Sequence, residues 1–78
     1  MSNVAKKIQD RSLTEIIIGL AEMHDHMTYI SSHTEPAYYK TVAHYVGMNY
    51  DLHVAELRKR GQESIAQRYE QRATGWKQ

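Results

Sequence analysis

Cysteine is absent from this 78-residue chain, and so is phenylalanine. Without cysteine there is no disulfide framework and no thiolate metal site to brace a small fold. Without phenylalanine the apolar stock is six Ile, four Leu, four Val and four Met, with six Tyr and one Trp for aromatic mass. A chain of this length buries only about 60% of its unfolded surface. A core drawn from so short a list is thin, which points to self-association or docking on a partner. Proline occurs once, at position 36, and the four glycines at 19, 47, 61 and 75 are isolated from one another. That spacing excludes a glycine-rich phosphate loop.

Long apolar runs are also missing. The longest, Ile16-Ile17-Ile18-Gly19-Leu20-Ala21, falls far short of the roughly 20 residues a membrane span requires. The opening MSNVAKKIQD has no apolar core of a secretory signal. The expected setting is therefore cytoplasmic, in a cell or in the host of a virus, with no membrane partner. Net charge is only +1, but residues 58–78 carry six basic and two acidic groups while residues 35–57 carry one and three. A basic tail on a near-neutral body suits solvation of a last helix or contact with an acidic partner or nucleic acid.

What is present reads as helix throughout, in a single domain spanning 1–78. A short helix is predicted over residues 3–10, with Val4 and Ile8 one turn apart. Ser12-Leu13-Thr14-Glu15 forms a capping box, in which serine and glutamate each satisfy the other's free amide. Leu13, Ile16, Ile17, Leu20, Met23, Met27 and Ile30 then recur at the spacing of a buried helical stripe, ending near Ser31. Ile18 lies off that stripe and gives a second apolar surface, while Gly19 weakens the helix unless a close crossing uses it.

Residues 31–36 form a short link in which Pro36 breaks the helix, so the flanking segments should lie antiparallel. Thr34 is placed to cap the next helix, which Arg58-Lys59-Arg60 and a C′ Gly61 close. Its facing stripe is Tyr38 or Tyr39, Val42, Val46, Asn49 or Tyr50, His53 and Leu57. A last helix over residues 62–74 offers Ile65, Tyr69 and Trp76 as anchors. The expected fold is all-α: an antiparallel helical hairpin with short flanking N- and C-terminal helices, oligomeric.

Residues 39–60 also admit a helix-turn-helix. Ala43 would sit at the helix contact and Gly47 in the turn, with Asn49 capping a recognition helix that begins at Tyr50, Asp51 and His53. Asn49, Tyr50, His53, Arg58, Lys59 and Arg60 would then be the DNA-binding residues. Two departures count against it, because His53 and Glu56 occupy positions the motif fills with aliphatics, and a buried unpaired glutamate costs several kcal/mol. Asp51 at the front of the recognition helix would also repel phosphates.

Five histidines raise metal binding. Glu22 and His26 share a helix face, and a hairpin pivoting near His33 would bring His44 opposite them. No HExxH or paired ExxH motif accompanies them, so ordinary surface histidines are the plainer reading, and neither metal nor cofactor is expected. Ser2, Ser12, Ser31, Ser32 and Ser64 have no adjacent base and orienter, so no nucleophile is assembled and no enzyme is expected.

The tyrosines point around much of the third helix, too widely for one narrow core. Tyrosine and tryptophan are enriched where proteins meet, because they bury large area at low entropic cost. The leading expectation is a small non-enzymatic helical regulator, inhibitor or assembly factor that binds protein and forms homo-oligomers. Its contact residues would be Ile18, Tyr38, Tyr45 and Tyr50, with Arg58, Arg60, Arg68 and Arg72 as a basic secondary contact. A DNA-binding regulator is the alternative.

Overall fold

The capping box forms as the sequence requires and starts the first long helix. In the computed structural model, which describes residues 7–77, the Ser12 amide donates to Glu15 Oε1 at 2.7 Å. The Glu15 amide donates back to Ser12 Oγ at 3.1 Å. Helix α1 follows over Leu13–Ile30. Its inner face is the stripe expected: Ile16, Leu20, Met27 and Ile30 are buried, with Leu13, Ile17 and Met23 packed half-buried beside them. The helix ends where His33 Nδ1 meets the Tyr29 carbonyl at 2.7 Å and its ring stacks on Tyr29 at 4.1 Å.

Helix α2 runs over Pro36–Lys59 without a break. Pro36 stands at its first position, where a missing N–H costs nothing. The cap is therefore Glu35, held extended as a residue before proline must be, and not Thr34. The C-terminus closes in a Schellman motif: the Gln62 amide donates to the Leu57 carbonyl at 2.8 Å and the Gly61 amide to that of Arg58 at 3.0 Å. Gly61 has φ +79°, a conformation that side chains disfavour by about 1–2 kcal/mol. Because α2 passes straight through Gly47 to Lys59, no turn divides residues 39–59, and the helix-turn-helix reading of residues 39–60 is corrected on that geometry.

Helix α3 spans Glu63–Arg72 and runs on into a 3-10 turn at Ala73–Gly75. Of the helix expected over 3–10, residues 3–6, Val4 among them, lie outside those described; Ile8–Asp10 is a 3-10 turn. Among the described residues the fold is all-helical, with three α-helices and no strand.

Helix α2 packs on both α1 and α3. This explains why its buried face is broader than a single stripe. Ala43, Gly47, Tyr50, His53, Val54 and Leu57 are all buried. The Cα trace measures 35 × 35 × 15 Å, a slab about two packed helices thick. Trp76 fastens the slab. Its indole N–H donates to His24 Nδ1 on α1 at 3.2 Å, and its ring meets Tyr50 edge-on at 5.2 Å. Its carbonyl accepts from the Tyr39 hydroxyl at 3.1 Å.

Candidate protein-binding face

With α1 and α3 both on one side of α2, the opposite side is left uncovered. A helix turns once every 3.6 residues, so positions displaced by half a turn from the buried set share one outward ridge. Those positions are Tyr38, Thr41, Tyr45, Met48, Leu52 and Ala55, and all six are exposed. Their steps of three and four residues are the seam spacing of helices that pair along their length. The four large ones are Tyr38 at 61%, Tyr45 at 66%, Met48 at 56% and Leu52 at 61% exposure. No charged residue interrupts the ridge between its ends, which lie roughly 26 Å apart at 1.5 Å per residue.

Polar side chains border the ridge. His44 and Asp51 flank one side, and Asn49 and Glu56 the other. Asp51 is bonded to Lys77, and Glu56 is held by Arg60 Nε at 2.8 Å. The remaining exposed large apolar residues, Ile18 and Tyr29, are on α1. Tyr29 is partly spoken for by its stack on His33.

The structure divides the residues singled out from sequence. Ile18, Tyr38 and Tyr45 are exposed, as a contact surface requires. Tyr50 is not: it is fully buried and donates to the Tyr69 carbonyl at 2.6 Å. Burial, with the nearby Tyr69 phenol second, pushes its pKa up to about 12. Tyr50 is therefore core, packed where α2 meets Tyr69 of α3 and Trp76, on the stripe for which it was the alternative to Asn49.

The basic residues are similarly sorted. Arg58 grips Glu70 through its terminal nitrogens, at 2.6 and 3.3 Å, and Glu63 through Nε at 3.0 Å. These hydrogen bonds push the guanidinium pKa higher still, and Arg58 in turn holds the Glu70 carboxyl below its ordinary value. Arg60, besides its pair with Glu56, donates to the Ile8 carbonyl at 3.2 Å and that of Gln9 at 3.3 Å, pinning the N-terminal turn. Both arginines are consumed internally, so neither is a ready contact. Arg68 is exposed, and Arg72 lies over the Tyr69 ring at 5.0 Å.

Of the DNA-contact set, Tyr50 and His53 are buried, Arg60 is half-buried and paired, Arg58 is exposed but paired, and Asn49 and Lys59 are exposed. His53 is held by Nδ1 against the Asn49 carbonyl at 2.8 Å, inside the α1–α2 crossing at Gly19.

Glu22 and His26 line one groove with His53, whereas His44 lines a different one beside Lys77. The trio Glu22, His26 and His44 is thus not brought together, and among the described residues no group of three His, Asp or Glu side chains could hold a metal. Nor is any helix of the described residues long and apolar enough to cross a membrane.

The contact set expected from sequence did not include Met48 or Leu52. The signal was present: Tyr38, Tyr45 and Leu52 fall at seven-residue intervals, and Thr41, Met48 and Ala55 follow each by three. Comparison of the chain with family models, with curated proteins and with solved structures finds no match.

Proposed function

We propose that this chain is a non-enzymatic helical protein that works by binding protein through the outer face of α2. In this reading α1 and α2 form an antiparallel hairpin that holds the face rigid, and the protein is a cytoplasmic regulator, inhibitor or assembly factor. One observation carries the proposal: four large apolar side chains, each more than half exposed, lie on one uncharged heptad-spaced ridge opposite the core. A contiguous apolar patch of this kind on a small protein marks an interaction surface. Tyrosine supplies two of the four, and it brings large contact area with few torsions to freeze. The partner's matching surface is helical, since a seam with steps of three and four meets its like along a shared axis.

The test compares the tagged wild-type chain with Leu52→Glu. Leu52 is exposed, so the substitution should leave the helical circular-dichroism signal and melting temperature nearly unchanged. A charge on the ridge should abolish retention of protein, and the wild-type association should survive added salt. Association unaffected by Leu52→Glu, or lost steeply with salt as phosphate contacts are, would overturn the proposal.

A further inference from the structure

We infer that the occupant of the α2 ridge is a second copy of this chain, laid antiparallel across it. The inference rests on the protein-binding reading above and names its partner. The reason lies in the order of side chains along the ridge. Read from either end, bulky residues meet small or pliable ones. In the antiparallel register that overlaps the whole ridge, Tyr38 faces the other copy's Ala55, Thr41 faces its Leu52 and Tyr45 faces its Met48. The two-fold axis repeats each pairing, so all six positions are used.

A parallel pair would stack each tyrosine on its own equivalent and leave Ala55 against Ala55, a bulge at one end and a gap at the other. Packing density close to that of protein interiors disfavours both. Methionine opposite tyrosine is also a favourable contact, sulfur against ring.

The borders agree. The antiparallel register sets His44 of each copy near the other's Asp51 on one side, beside the Lys77 that Asp51 already bonds. On the other side Val42 lies near Asn49. The one like-charge approach, Glu35 to Glu56, falls at the ends, where Arg60 already bonds Glu56.

Area also fits. An aromatic side chain offers roughly 150–250 Å² when fully buried, so Tyr38 and Tyr45 at their observed exposures offer about 100–150 Å² apiece, and the smaller Met48 and Leu52 add somewhat less. With the flanking residues this reaches several hundred Å² per copy, approaching the ~800 Å² of a standard stable interface. A reversible, concentration-dependent dimer is the expected result.

The absence of native cysteine makes the geometry directly readable. Thr41→Cys and Leu52→Cys variants of the full chain are oxidised separately and mixed, beside sedimentation of the wild type across a wide concentration range. The antiparallel dimer should join the two variants to each other. It should not join either to itself, because like positions lie roughly 16 Å apart along the axis while a disulfide spans about 4.4–6.8 Å between Cα atoms. The wild type should sediment as a dimer at high concentration, and Leu52→Glu as a monomer with unchanged circular dichroism. Each variant cross-linking to itself and not to the other would overturn the antiparallel arrangement. A monomer at every concentration with no mixed cross-link would overturn self-pairing altogether. In that last case, retention of a different protein that Leu52→Glu abolishes would leave the protein-binding face standing, and no retention at all would remove both.

Discussion

The phenol of Tyr50 is enclosed on every side and gives its proton to the Tyr69 carbonyl at 2.6 Å. Its ionised form has no place there, which is why its pKa rises to about 12. An unfolded tyrosine titrates near 10. Stability from this residue is therefore complete below pH ~10 and is lost as pH climbs through about 12. Thermal melts across that alkaline window should fall steeply for the wild type. Tyr50→Phe should flatten the fall while costing about 1 kcal/mol at neutral pH for the lost hydrogen bond. An unchanged alkaline profile in Tyr50→Phe would show that another group controls it.

Two glycines on helices make a matched pair of residue-scale tests. A Cβ at Gly47 would meet only the Lys77 side chain at an ordinary 3.6 Å. Gly47→Ala should therefore raise stability by up to about 1 kcal/mol through helix propensity. A Cβ at Gly19 would come within 3.2 Å of His53 Nε2. That ring is pinned by its bond to the Asn49 carbonyl, so Gly19→Ala should forfeit the propensity gain and lower the melting temperature. Equal shifts in the two variants would contradict the close crossing.

At the scale of elements, the boundaries were legible in the sequence because local chemistry sets them. The capping box, Pro36 and Gly61 each act within a few residues, and the long helices begin and end at or beside them. The inner stripe of α1 was legible for the same reason, since α1 buries one face. Helix α2 was harder. It packs on two neighbours, so its buried arc widened to take in Tyr50 and Val54, and periodicity alone could not separate a buried tyrosine from an exposed one. Thr34 lost its capping role to the constraint that Pro36 places on Glu35. The outer ridge was half legible: Tyr38 and Tyr45 were read as contact residues, but Met48 and Leu52 were not among them. Arg58 misled because its acidic partners, Glu63 and Glu70, lie on the far side of the Gly61 turn. Charge segregation along the chain does not reveal which charges meet in space.

Trp76 sets the whole-molecule behaviour. It ties the C-terminal turn to α1 through His24 and to α2 through Tyr39 and Tyr50, three contacts that join distant parts of a thin slab. Truncating a buried aromatic costs about 3–5 kcal/mol, a large share of the roughly 5–15 kcal/mol that holds a domain together. Trp76→Ala should thus lower the urea midpoint of the whole chain in a single transition, with α1 and α2 lost along with the C-terminal turn. Loss confined to the C-terminal segment would show that the turn is dispensable to the rest. A molecule with so shallow an interior gains further by covering its outer ridge, and it is at this scale that binding and stability become linked.

Hydroxyl-radical footprinting read by mass spectrometry tests the ridge most directly. Raising the concentration of the chain should protect Tyr45, Met48 and Leu52 together, while Ile18 and Tyr29 on α1 stay as reactive as in dilute solution. Ridge residues that remain as reactive as Ile18 at every concentration would contradict the account.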